Sequence, residues 1–166
     1  MSGNDKAVRL TPEIVEGILG RMSQRKDEWE YFSPEDSAAY AGVPVPVFKA
    51  WMDRGYKANV GMYSALYDHV TEKRLECQLK ELDHAIEKAN TGDPEALKLL
   101  DTMVDSILPM VNGTLDKFDA NFKESSSRQL MEKKLKISAY RTMRDKLESW
   151  TEDRTRSGRN IPGMGA

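Results

Sequence analysis

The sequence predicts an all-α protein, and three observations carry that prediction. Apolar residues recur at helical spacing through most of the chain. Proline-bearing start signals and glycine stops punctuate it at intervals. No stretch alternates polar and apolar residues as a half-buried strand would.

The elements follow in order. Thr11-Pro12-Glu13 is a helix start: a hydroxyl cap, proline in the first turn and an acid behind it. Ile14, Val15, Ile18, Leu19 and Met22 then make one apolar face of a helix predicted to end near Arg25. Ser33-Pro34-Glu35-Asp36 opens a second, short helix that Gly42 stops. Pro46 sits in the first turn of a third, which runs to about Arg54 and ends at Gly55. A long helix is predicted over about 62–89, with a four-three seam of Leu75, Leu79, Leu82, Ile86 and Ala89. Asn90 to Pro94 breaks it. Leu97, Leu100, Met103 or Val104, and Ile107 carry a facing seam, so the two helices can pair as an antiparallel hairpin. Pro109 and Asn112-Gly113 predict another break, followed by a short helix with Leu115, Phe118 and Phe122. A last helix is predicted over 128–150, and the residues after Trp150 read as a flexible basic tail.

The segments divide as residues 1–58, 59–127 and 128–166. The net charge of −2 is uneven: residues 1–60 carry −1, residues 61–127 carry −6 and residues 128–166 carry +5. An acidic middle beside a basic end points to different partners for different regions. The single Cys77 excludes an internal disulfide and fits a reducing compartment. In such a compartment the sequon at Asn112 carries no glycan. The apolar runs are too short to cross a bilayer, so no membrane role is expected, and MSGNDKAVRL lacks the apolar core of a signal peptide.

Residues 38–54 match the spacing of a helix-turn-helix. Ala38 lets two helices approach, Gly42 takes the turn, Val43 plugs the corner, and Phe48 and Trp51 bury the second helix. An ordinary helical corner uses the same residue types; the full set of spacings favours the motif. Val45, Val47, Lys49, Ala50, Asp53 and Arg54 are then predicted to face out, with Lys57 just beyond. Lys49, Arg54 and Lys57 can reach phosphates, and Arg21, Arg25 and Lys26 can add to them. No Arg, Asn or Gln stands early in this helix to read a base in bidentate fashion, so one copy should bind DNA weakly and through charge.

The catalytic alternatives are poor. His69, Cys77 and His84 lie on one predicted helix, but eight residues span about 12 Å of rise, too far for two groups to share one ion. There is no phosphate-binding glycine loop and no GxSxG turn. No catalytic residue, metal or cofactor is expected.

The stretch AGVPVPVFKAWMDRG, then GMYSALYDHVTEKRLECQLKELDHAIEKA, then TGDPEALKLLDTMV resembles bacteriophage small terminase subunits. The matching residues are Ala41-Gly42-Val43, Phe48, Trp51, Gly55, Tyr63, Tyr67 and Gly92-Asp93-Pro94-Glu95-Ala96, within about residues 33–105. The resemblance implies a protein of the host cytoplasm that is not an enzyme. It implies a ring-shaped homo-oligomer closed by the hairpin at 62–108. Its partners would be double-stranded viral DNA at the packaging site and the large terminase subunit, which carries the ATPase and nuclease. The helix at 46–54 would read DNA. Leu75, Leu79, Leu82, Ile86, Leu97, Leu100 and Ile107 would hold the oligomer, and Arg154, Arg156 and Arg159 would contact the large subunit or further DNA. Many relatives have Ser, Thr or Arg where this chain has Pro44, Val45, Pro46 and Val47. Some relatives close a small C-terminal β-barrel where this chain reads as helices. A ring answers the weakness of one motif, because linked copies gain roughly 10²–10⁴ in avidity without a new contact. A dimeric helix-turn-helix transcriptional regulator and a helical adaptor without DNA binding are the alternative readings.

Overall fold

A computed structural model describes the backbone of residues 8–58, 60–121 and 127–160, and the side chains of 8–58, 60–118 and 134–153. The chain is all-α: among the described residues there are six helices and no strand. They are α1 (Pro12–Met22), α2 (Pro34–Tyr40), α3 (Val45–Lys57), α4 (Met62–Asn90), α5 (Pro94–Asn121) and α6 (Ser127–Asn160). No helix among the described residues is long and apolar enough to cross a membrane. The chain divides into two compact units, Met1–Glu81 and Leu82–Ala166. The division falls inside α4, whose first turns supply Leu66 and Val70 to the core of the first unit.

In the first unit the caps do what the sequence predicts. Thr11 Oγ1 accepts the Ile14 N–H at 3.2 Å and Ser33 Oγ accepts the Asp36 N–H at 3.1 Å, so each helix begins with a satisfied donor. α2 ends in a Schellman turn. The Val43 N–H reaches the Ala38 carbonyl at 2.9 Å, the Gly42 N–H reaches that of Ala39 at 3.0 Å, and Gly42 has φ +85°. That geometry drops Val43 into the core with Leu10, Ile18, Met22, Ala38, Phe48, Trp51, Leu66 and Val70. Each fully buried large side chain contributes about 1.5–3 kcal/mol. α1 packs on α2, and α2 on α3.

Two boundaries differ from expectation in this unit. α1 stops at Met22 instead of near Arg25, because residues 23–32 form a small hairpin. Asp27 Oδ1 accepts the N–H groups of Trp29 and Glu30 at 2.8 Å each, and Arg25 bridges Tyr31. α3 runs through Gly55 to Lys57. Gly55 is not a stop: a Cβ there would lie 2.2 Å from the Tyr63 carbonyl oxygen and 2.9 Å from the Tyr67 Cβ. The residue is glycine because α3 and the start of α4 approach too closely for any side chain.

In the second unit α4 ends in another Schellman turn, with the Asp93 N–H on the Lys88 carbonyl at 3.2 Å and Gly92 at φ +89°. Asp93 then caps α5 through the Glu95 N–H at 3.0 Å. The break expected at Pro109 and Asn112-Gly113 does not occur, and α5 continues to Asn121. Burial of Leu100 before the proline and of Val111 and Leu115 after it holds the helix together across the missing hydrogen bond. α5 packs extensively on α6, and Lys146 of α6 meets Asp83 of α4 at 2.6 Å. The sequence pairs α5 with α4 alone and does not show the α6 contact. α6 runs to Asn160 and not to Trp150, so the helix takes in most of the expected tail; residues 161–166 lie outside the described ones.

Candidate nucleic-acid interface

α3 presents a clear division of faces. Phe48, Trp51 and Gly55 are buried, and Pro46, Lys49, Ala50, Asp53, Arg54 and Lys57 are exposed. The sequence places Val45 and Val47 outward as well, but both are half-buried, and Val47 packs against the core. Val47 therefore serves packing.

The expected cations are not equivalent. Lys49 is exposed with no ion-pair partner among the described residues. Lys57 Nζ meets Asp53 at 2.9 Å, one helical turn away. The Arg54 guanidinium lies over the Tyr63 ring at 4.1 Å, and Tyr63 in turn meets Trp51 edge-on at 6.4 Å between centroids. Arg21 is half-buried and stacked against two rings, with Cζ 3.9 Å from the Phe32 centroid and 4.0 Å from that of Tyr40. Its Nη1 donates to Gln24 Oε1 at 3.1 Å. Arg25 lies over Tyr31 at 4.8 Å and donates to the Glu28 carbonyl at 2.8 Å, and Lys26 is exposed on the same hairpin. The cations thus form two groups on different elements: Lys49, Arg54 and Lys57 on α3, and Arg21, Arg25 and Lys26 at the end of α1 and in the hairpin.

The aromatic partners Tyr31, Phe32, Tyr40 and Tyr63 are what sequence reasoning missed. The signal for the first three is the density of Arg and aromatic residues between Arg21 and Tyr40. Each ring orients a guanidinium for about 0.5–1 kcal/mol at an exposed site. The hairpin also carries Asp27, Glu28 and Glu30, all exposed. Two backbone N–H groups hold the Asp27 carboxyl below its ordinary pKa. These acids offset the positive charge of Arg25 and Lys26 on the hairpin.

Behind the hairpin lies a pocket of about 120 Å³ lined in part by Met22, Tyr31, Arg74, Cys77 and Glu81. Its polar groups are tied to the chain itself. Glu81 accepts the Tyr31 N–H at 2.7 Å and Cys77 Sγ–H donates to the Met22 carbonyl at 3.3 Å. Burial pushes both the Glu81 carboxyl and the Cys77 thiol up in pKa.

The residues expected to hold an oligomer are only partly available. In the single chain Leu75, Leu82 and Leu100 are buried, while Leu79, Ile86, Leu97 and Ile107 are half-buried. Met110, beside Ile107 on α5, is 50% exposed. Arg154, Arg156 and Arg159 fall in the backbone span of α6, and their side chains lie outside the described residues. His69, Cys77 and His84 all sit on α4, and no cluster able to hold a metal occurs among the described residues. Comparison of the chain with protein-family models, with curated proteins and with solved structures finds no significant match.

Proposed function

We propose that this chain is a DNA-recognition subunit of the small-terminase kind. In this reading α2 and α3 form a helix-turn-helix, several copies assemble through the central helices, and the assembly engages viral DNA and recruits the large terminase subunit to start packaging. The observation that carries the reading is the joint between α2 and α3. A Schellman turn at Gly42, a buried Val43 plug and a second helix anchored by Phe48 and Trp51 leave one polar face of α3 outside. The order of motifs from Ala41 to Ala96, which resembles small terminase subunits, narrows a generic DNA-binding head to packaging.

The charge of that face explains why assembly belongs to the proposal. Of the three cations on α3, Lys57 is paired with an acid and Arg54 lies on a ring. One copy would neutralise few phosphates and bind weakly at physiological salt. Linked copies on one duplex supply the missing affinity.

Light scattering coupled to size exclusion tests the assembly. A mass of several copies is the expected result, a dimer favours a transcriptional regulator, and a clean monomer sinks both. Duplex binding across a salt series, on the intact chain and on one ending at Trp150, tests the DNA contact. Affinity should fall steeply with salt. Removal of Arg154, Arg156 and Arg159 should lower the slope by about 0.9 for each phosphate no longer neutralised. An unchanged slope after truncation removes those arginines from the DNA interface.

A further inference from the structure

Pro46, Ala50, Asp53 and Lys57 follow one another at helical spacing along the outward face of α3, and all four are exposed. Phosphate binding alone gives no reason for a carboxylate at the centre of that face. Asp53 and Lys57 lie 2.9 Å apart, with side chains 64% and 71% exposed respectively. The pair sets a carboxylate acceptor beside an ammonium donor. It is held weakly enough by solvent-screened attraction to open toward a ligand.

A C·G base pair shows the complementary row in the major groove. The cytosine N4 amino group is a donor, and the guanine O6 and N7 beside it are acceptors. The other edges fit less well. A carboxylate over guanine alone or over thymine O4 would face acceptors with an acceptor. The adenine amino group is flanked by acceptors on both sides, whereas the cytosine amino group is flanked on one side only. Resting on the DNA-recognition reading above, we propose that Asp53 and Lys57 together read one C·G pair. Asp53 accepts from cytosine N4 and Lys57 donates to guanine O6 or N7. Ala50 and Pro46 offer small apolar surface one and two turns earlier, where a neighbouring thymine methyl can sit. Asp53 then selects mainly by exclusion, because over guanine or thymine, and against the phosphates of non-specific DNA, its charge is repelled, while at adenine the one donor stands between two acceptors. It lowers general affinity and sharpens choice, which is a use for an acid on a DNA-facing helix.

The test uses the full-length protein and a duplex library with randomised positions, selected at low salt. The enriched duplex and the same duplex with its C·G pair changed to T·A are then titrated by fluorescence anisotropy. The expected result is an enriched C·G pair and a preference of roughly tenfold or more over T·A. Asp53→Ala should bind both duplexes alike, and the T·A duplex more tightly than the unmodified protein does. Lys57→Gln should weaken binding to the C·G duplex. Both side chains are exposed, so circular dichroism should show unchanged helicity. A selection without base preference, or an Asp53→Ala protein that keeps the same preference, overturns the inference and leaves DNA recognition standing. Absence of binding by the unmodified protein at every salt concentration overturns both.

Discussion

At the scale of single residues, Gly55 and Glu81 are the positions where chemistry and packing pull against the ordinary preference. Gly55 lies inside α3, where glycine costs about 0.5–1 kcal/mol relative to alanine. The chain keeps it because a Cβ would meet the Tyr63 backbone at 2.2 Å. Gly55→Ala should therefore destabilise the first unit by about 3 kcal/mol despite the better helix former, as urea unfolding would show. Glu81 titrates in the opposite sense from a salt-bridged acid. Burial raises its pKa above the ordinary 4.5, so the folded protein holds this proton more tightly than the unfolded chain does. Its contribution to stability is then most favourable below 4.5 and is lost as pH rises through the raised value. Glu81→Gln keeps an acceptor for the Tyr31 N–H and removes the half-buried charge. Thermal melts should show the variant more stable than the unmodified protein near neutral pH, with the gain shrinking toward pH 4.5.

At the scale of elements, signals that act within one turn are legible in the sequence and those that depend on distant partners are not. Thr11 and Ser33 cap helices where the sequence places them, because a cap acts within one turn and needs no distant partner. Gly42 is legible for the same reason. Gly55 misleads because its role depends on Tyr63 and Tyr67 of another helix. Pro109 misleads because flanking burial outweighs a local rule. The stacking of Arg21 on Phe32 and Tyr40 is hidden likewise, since tertiary structure alone brings those rings together. If burial alone carries α5 across its proline, Pro109→Ala should restore the bond to the Asp105 carbonyl. That change should raise stability by about 1–3 kcal/mol in denaturant unfolding. An unchanged midpoint would mean that the proline is accommodated without strain.

At the scale of the whole molecule, function under the proposed reading depends on how many copies are gathered. Met110 offers a way to change that number without opening the core, being 50% exposed on α5 beside the half-buried Ile107. If this face meets another copy, Met110→Glu should lower the mass seen by light scattering while circular dichroism stays unchanged. DNA affinity should fall with the mass, by up to the roughly 10²–10⁴ that linkage supplies. Lys49→Gln, which leaves assembly alone, should cost much less.

The missing side chain at Gly55 also has a mechanical meaning. Backbone against backbone leaves no slack, so α3 cannot swing on the first turns of α4 as a head on a tether would. A tethered head adapts to whatever duplex it meets and loses entropy in doing so. A welded head spends nothing on ordering itself and leaves all the adjustment to its ligand. Under the proposed reading a stiff duplex would then be rejected and a compliant one accepted, so the bendability of the DNA would be sensed by a glycine that never touches it.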